Sequence, residues 1–296
     1  MILRIMKLLK KFYNINIYML KLVNNSITFQ VIINSLHEAF DELNINHEVV
    51  NNYDRNDYDN VYLICTTHET NDLPVHYISY NFEQLTTNKD FGDNYYERLK
   101  NAIIIFDYSL ENINFLKNKG IDAHFLPFGY SKSFEYDNIQ SKNIDFVFTG
   151  SMNDKRYSKM KDIIKLYDNN SDKIFIGTDC WGCNLFRTYA NSKIGLNLHY
   201  YNGNTILEVT RINLLIANKV LVISERSNDL WYDSKYENIV NFISDNVPID
   251  EYYLNVLNDY NLSNEVERRY NEFKNNHKFV DYIKNVIFII TQMKHY

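Results

Sequence analysis

One stretch, Ser192–Glu225 (SKIGLNLHYYNGNTILEVTRINLLIANKVLVISE), constrains the fold of this chain more than any other. It reads as strand, loop, helix, strand. Ser192–Leu198 is a short apolar run that ends in His199, Tyr200 and Tyr201. Asn202-Gly203-Asn204 is turn chemistry. Thr205 and Glu208 have the spacing of a capping box in front of an apolar-periodic run, which predicts a helix beginning at Thr205. Lys219–Ser224 is apolar without alternation, the pattern of a strand covered on both faces of a parallel sheet.

A βαβ unit of this kind presents a helix N-terminus at the carboxyl edge of a sheet. Unpaired N–H groups and the positive end of the helix dipole collect there, and both favour a phosphate. Glu208 and Arg211 stand three apart on the same helix face. A carboxylate that accepts hydroxyls therefore lies beside a guanidinium that grips phosphate. The ligand this implies is of nucleotide type.

Three other stretches accompany the unit: Tyr77–Leu85 (YISYNFEQL), Ile103–Leu116 (IIIFDYSLENINFL), and Phe125–Tyr130 (FLPFGY) followed by Phe146–Ser151 (FVFTGS). In this order, over residues 75–245, the chain resembles the GT-B glycosyltransferases, nearest the glycosyl transferases group 1 and CgeB-like branch. The resemblance implies an α/β chain of two Rossmann-like, doubly wound domains facing across a cleft. Residues 1–135 would be an acceptor domain and 136–275 a nucleotide-sugar domain, with a helix in 276–296 crossing back to the first. It also implies transfer of a hexose from a nucleoside diphosphate sugar such as a UDP-sugar. The acceptor would be a glycan, protein or lipid, and neither metal nor cofactor is expected.

The same resemblance distributes roles. Gly150, Ser151 and Arg156, in the stretch FVFTGSMNDKR, match a loop that touches the diphosphate. His199, Tyr200, Gly203, Asn204 and Thr205 fall around the donor, and Glu208 and Arg211 contact it. The family signature of two glutamates with seven residues between is altered here. With Glu208 as the second glutamate, the first position is Tyr200 and the loop glycine is Gly203. With the following strand setting the register, the second glutamate falls near Asn213 or Leu214. Both registers stay open. Glu83, just past a strand end, is the candidate catalytic base for an inverting transfer; His37, His68 and Glu69 are the other first-half candidates, and His37 on a helix reads as structural.

Composition limits the alternatives. A length of 296 residues with 45% apolar content suits two domains with separate cores. A net charge of −6 argues against a nucleic-acid partner, whose affinity rests on a basic face. Three cysteines make no disulfide framework and point to a reducing, cytoplasmic setting. Lysines interrupt the apolar run at the N-terminus, so it is no secretory signal. Residues 2–12 read as a lead-in helix, with an amphipathic helix on a membrane surface as the alternative.

Taken in order, the first half predicts strands at Ile15–Lys21, His47–Asn51, Val61–Thr66, Val75–Tyr80, Ala102–Asp107 and His124–Leu126. Helices are predicted at Ile27–Leu43, Tyr95–Asn101 and Glu111–Asn118, the last capped by Ser109. Phe128–Ser141 reads as the linker. The second half predicts strands at Ile144–Thr149, Lys173–Ile176, Ser192–Leu198, Lys219–Ser224 and Ile239–Phe242, with helices at Asp154–Tyr167, Trp181–Ala190 and from Ile249 onward. Such alternation predicts doubly wound parallel sheets.

Three motifs are set aside. Asp57-Tyr58-Asp59 is a DxD, but it precedes a strand within a polar run and reads as a loop. Asp90-Phe91-Gly92 lacks the companion motifs of a kinase. Cys180-Trp-Gly-Cys183 has thioredoxin-like spacing, and packing cysteines are the favoured reading. Beside the enzyme stand two alternatives: a non-catalytic nucleotide- or sugar-binding module of GT-B shape, and, more weakly, a redox protein using Cys180 and Cys183.

Overall fold

The computed structural model describes residues 19–70, 72–87, 91–137, 141–244 and 247–293. The expectations for residues 2–12, for positions 15–18 of the first strand and for Asp90 lie outside them. The chain divides into two units. One runs to Ser133 and resumes at Lys278; the other is Phe134–His277.

The first unit contains β1 (Met19–Val23), α1 (Gln30–Glu42), β2 (His47–Val50), β3 (Asn60–Ile64), β4 (Tyr77–Asn81), α2 (Asp93–Asn101), β5 (Ile104–Asp107), α3 (Leu110–Asn118) and β6 (His124–Phe125). Its sheet is parallel in the order β2-β1-β3-β4-β5-β6. All five residues of β4 are buried, as a strand covered on both faces requires. Val31, Ile32, Ile33, Leu36, Ala39 and Phe40 form the buried face of α1. Ser109 caps α3, its Oγ accepting the Glu111 N–H at 3.1 Å.

The second unit contains β7 (Ile144–Thr149), α4 (Asp154–Leu166), β8 (Ile174–Gly177), α5 (Gly182–Ala190), β9 (Ser192–Asn197), α6 (Val209–Ala217), β10 (Leu221–Glu225), α7 (Leu230–Tyr236), β11 (Asn241–Ile243), α8 (Ile249–Leu257) and α9 (Leu262–Asn276). Its parallel sheet runs β11-β10-β9-β7-β8. The strand order reverses between β7 and β9, and at such a switch point the connecting loops part and leave a crevice at the carboxyl edge. Phe146, Phe148, Ile194, Leu196, Leu221 and Ile223 pack with Met160 and Ile163 of α4 into the core beneath it. Gly195 of β9 lets α6 come close, because a Cβ there would meet Leu215 Cδ2 at 2.8 Å.

The chain then re-enters the first unit with α10 (Phe279–Met293). The Phe279 N–H donates to Tyr130 O at 2.9 Å, and its ring meets Phe128 edge-on at 5.0 Å. Phe279, Val280, Ile283, Val286, Ile287 and Ile290 are buried, and α10 runs beside α1. Among the described residues no helix is long and apolar enough to cross a membrane.

Several predicted strands and helices shift by one to three residues at their ends, and the structure further corrects the helix start at Thr205 and supplies a helix after β10. No helix begins at Thr205. Thr205 is instead tied by its N–H to Asn228 Oδ1 (3.0 Å) and by its carbonyl to the Asn228 N–H (2.8 Å). Ile206 and Leu207 are fully buried, so Thr205–Glu208 is an anchored loop and α6 starts at Val209. Glu208 holds the N-cap position, yet its side chain makes no cap bond, so the capping box does not form. Helix α7 has no counterpart among the predicted elements; Asp229 caps it by accepting the Trp231 and Tyr232 N–H groups.

Candidate functional site

At the switch point of the second unit, five short segments bring polar side chains together. They are the ends of β7, β9 and β10 and the first turns of α4 and α6. The central residue is Asn197, the last of β9 and fully buried. It pairs in register with Ser224 of β10 and donates to Ser224 Oγ at 3.0 Å. The same Nδ2 donates to Glu208 Oε2 at 3.0 Å, while Oδ1 accepts from Arg211 Nη1 at 2.7 Å. One amide thus fixes both a carboxylate and a guanidinium at the mouth of α6.

Glu208 also lies 3.0 Å from His199 Nδ1, an ion-pair contact not aligned as a hydrogen bond. The other ring nitrogen, Nε2, is 2.9 Å from Arg226 O. Both ring nitrogens therefore face acceptors only, a setting that suits the imidazolium. Burial opposes that charge, but Glu208, the Arg226 carbonyl and Glu225 outweigh it and raise the His199 pKa above its ordinary value. Burial likewise works against the Glu208 carboxylate, and His199, Arg211 and Arg156 overcome it, holding its pKa at about 2. Glu208 is ionised at any working pH, so it accepts hydrogen bonds and does not deliver protons. Its Oε1 has Arg156 Nη2 as a neighbour at 3.7 Å.

Arg156 is buried at the third position of α4, where Asn153 caps the helix by accepting its N–H at 2.9 Å. Nε and Nη2 donate to Leu198 O at 3.0 and 2.7 Å, and Nη1 donates to Ser151 O at 2.6 Å. Arg156 is thus a bracket joining the loops after β7 and β9, and its charge reaches the site through space. Burial, with Arg211 beside it, lowers its pKa to about 10, so it stays cationic at neutral pH. Arg211 differs. It sits in the first turn of α6, against the favourable sign of the helix dipole. Its guanidinium spends Nη1 on Asn197 and lies 5.5 Å from the Phe148 ring, with no other hydrogen bond among the described residues. Gly150, at φ +130°, passes so close that a Cβ there would meet Arg211 Nη2 at 2.7 Å. Only glycine brings the backbone this near while adopting that φ.

Ser151 and Tyr200 are exposed and both contact Arg156, whereas Gly203 and Asn204 are exposed in the loop after β9 and Thr205, which follows them, is buried. The Tyr200 ring lies 5.2 Å from the Arg156 guanidinium. Glu225, which ends β10, accepts the His199 backbone N–H at 2.7 Å and pairs with Lys159 of α4. Sequence reasoning overlooked Asn197 and Glu225. Each does carry a signal: a polar side chain that closes its strand at the carboxyl edge. Asn213 and Leu214, where the second register puts the family's glutamate, are buried in α6, with Asn213 accepting from Tyr236 OH at 2.7 Å.

In the first unit, Glu83 follows β4. Its Oε1 is 3.3 Å from His68 Nε2, which is also 3.5 Å from Glu69 Oε1. A buried network holds this loop: Asn81 donates to Asp107 Oδ2 (2.6 Å), Tyr95 OH to Asn81 Oδ1 (2.9 Å), and Asn112 to Glu83 O (2.7 Å). The DxD is structural. Asp57 accepts from the Asp59 and Asn60 N–H groups, Asn60 Nδ2 and Tyr62 OH, and it pairs with Lys21. Cys183 is exposed in the first turn of α5 and Cys180 is half-buried, its thiol pKa raised by burial, the opposite of an activated redox cysteine.

Neither a protein-family model nor a curated protein matches the sequence. Solved structures do match the fold. AviGT4, a glycosyltransferase involved in avilamycin A biosynthesis, aligns with a TM-score of 0.58 at 10% identity, over 93% of this chain and 97% of its own. HepE from Anabaena, solved with UDP and glucose, aligns at 0.57 and 8% identity, over 93% and 100%. The DNA-modifying enzyme β-glucosyltransferase, studied with and without uridine diphosphoglucose, aligns at 0.51 and 15%, over 91% and 99%. The fold is GT-B: two Rossmann-like units, each a parallel sheet with interleaved helices.

Proposed function

We propose that this chain transfers a sugar, a hexose in the first instance, from a nucleoside diphosphate donor to an acceptor hydroxyl without a metal. The observation that carries the reading is Arg211. It is a guanidinium with open donors, fixed by Asn197 against the Gly150 backbone at the switch point of a parallel sheet. A diphosphate placed there meets Arg211, the amides of the α6 first turn and the through-space charge of Arg156. That set stabilises the leaving diphosphate as charge develops on it. It replaces the role a divalent cation plays elsewhere, and Asp57, the candidate ligand of a DxD, is already engaged by its own loop. Glu208, kept ionised, supports the reading as an acceptor for donor hydroxyls. Glu83, paired with His68, is the proposed base for an inverting transfer. The three free cysteines fit a cytoplasmic setting.

HepE was solved with UDP and glucose and β-glucosyltransferase with uridine diphosphoglucose, so UDP-sugars head the donor screen. The test is a thermal-shift survey of nucleoside diphosphate sugars, followed by a transfer assay with the selected donor and a chelator present. Full activity in chelator is expected. Activity abolished by chelator and restored by manganese overturns the metal-free claim. Unchanged transfer in Glu83→Gln removes that base and leaves the transferase reading intact. One observation favours a second reading, a non-catalytic binding module: neither Asn213 nor Leu214 supplies a carboxylate where one register of the family signature has one. Binding without product from any donor would decide for it.

A further inference from the structure

We propose that the first unit carries a transition-metal site, for Zn2+ or a cation of similar preference, built from His37, Asp41 and His47. His37 and Asp41 are four apart in the last turns of α1 and so share a helix face. His47 opens β2. One ligand atom from each lies within 4.8 Å of the others. The three belong to the amino end of β2 in a parallel sheet, whereas Glu83 follows the carboxyl end of β4.

The arrangement is built rather than incidental. The turn from α1 to β2 is closed by two backbone bonds, Asn44 N–H to Asp41 O (3.0 Å) and Ile45 N–H to Phe40 O (2.8 Å), with Asn44 left-handed at φ 52°. This Schellman closure fixes β2 against the end of α1. The His47 side chain is only 3% exposed, wedged edge-on against Phe40. Its Nδ1 faces Ile45 O at 2.7 Å and so carries the proton. Metal-bound histidines characteristically donate their second nitrogen in this way, which fixes the tautomer and frees the other lone pair. In His47 the freed lone pair is on Nε2, 2.7 Å from His37 Nδ1 and 3.9 Å from Asp41 Oδ1.

Two imidazoles thus share one proton where a cation fits. Zinc bonds of about 2.0–2.1 Å at a tetrahedral angle need the two nitrogens about 3.3 Å apart. The small widening falls on His37, whose side chain is 51% exposed, and Asp41 is also exposed. On binding, the His37 proton moves from Nδ1 to Nε2, which faces Asp41 Oδ2 at 3.7 Å. The C-terminal end of α1 adds the favourable sign of its dipole. Water completes the shell. The metal would staple α1 to β2, in a role separate from glycosyl transfer.

The experiment is calorimetric titration of chelator-stripped full-length protein with zinc, paired with the visible spectrum of the cobalt-loaded form. One equivalent is expected, with d–d bands and no thiolate charge-transfer band. Asp41→Ala changes an exposed side chain and should keep the metal-free melting temperature, whereas His37→Ala leaves the buried His47 Nε2 without its hydrogen bond and should lower it modestly. Each should weaken zinc by at least about tenfold, since losing even an outer-shell partner has that effect. Cys180→Ser/Cys183→Ser should bind zinc as the wild type does. The proposal falls if wild type takes up no stoichiometric zinc, if both single variants bind unchanged, or if the cysteine double variant loses the metal.

Discussion

At the residue scale, Arg211 and the Glu208–His199 pair make different demands. Arg211 has spare donors, so Arg211→Ala should weaken binding of the selected nucleoside diphosphate by about 1–3 kcal/mol, the scale of a charge-assisted hydrogen bond. Calorimetry against uridine, guanosine and thymidine diphosphates checks this, and equal affinities throughout would remove Arg211 from the site. Glu208 has no cap to preserve, and Glu208→Gln leaves His199, Arg211 and Arg156 without their common counter-charge. A lowered melting temperature is therefore expected together with weaker binding. The pair also sets a pH window. The folded pKa of His199 is raised, so its stabilisation is full below its ordinary value of 6.5 and is lost as pH rises through the folded value. Glu208 is depressed from 4.5 to about 2, so its contribution is present above 4.5 and lost as pH falls through about 2. Melting temperature against pH should decline on the alkaline side in wild type and flatten there in His199→Gln. The sequence revealed Glu208 and Arg211 through their spacing and the helix they open. It did not reveal what they bond to, because Asn197, His199 and Arg156 come from other strands and turns, and only the sheet brings them together.

At the element scale, most strands and helices could be read from periodicity, because strands buried on both faces leave unbroken apolar runs and amphipathic helices leave stripes. β7 over Ile144–Thr149 coincides with its prediction, and α3 begins at its Ser109 cap. The helix start at Thr205 fails for a tertiary reason. Propensity and a capping-box spacing compete there with burial of Ile206 and Leu207 and with the Asn228 clamp, and the clamp wins. α7 escapes notice because seven residues hold too few periods to register. Packing gives the next prediction. Gly195→Ala drives a methyl into Leu215 of α6 and should cost about 1–3 kcal/mol by overpacking. Denaturant unfolding measures it. A cost near zero would mean that α6 moves freely on β9, and the double variant Gly195→Ala/Leu215→Ala should cost less than the sum of the two single variants, because Leu215 is buried and its own truncation opens a cavity that the added methyl partly fills.

At the scale of the whole molecule, the division of the chain is not the order of the sequence. Residues up to Ser133 and those from Lys278 onward belong to one unit, and Phe134–His277 forms the other. The last helix therefore supports the first sheet. Its Phe279, Ile283, Val286, Ile287 and Ile290 are buried in the first unit, and Lys284 lies 3.9 Å from Glu42 at the end of α1. Burying five large apolar side chains at about 1.5–3 kcal/mol each exceeds the whole net stability of many domains. Truncation after His277 should accordingly unfold the first unit while sparing the second, whose core of Phe146, Phe148, Ile194 and Ile223 lies within Phe134–His277. Calorimetry of the truncated chain should show a transition lost or shifted far down, and another that the selected nucleoside diphosphate still moves upward by binding the native form. A single transition unchanged from the full chain would refute the assignment of α10. A ligand shift lost along with α10 would refute the placement of the nucleotide site wholly within Phe134–His277.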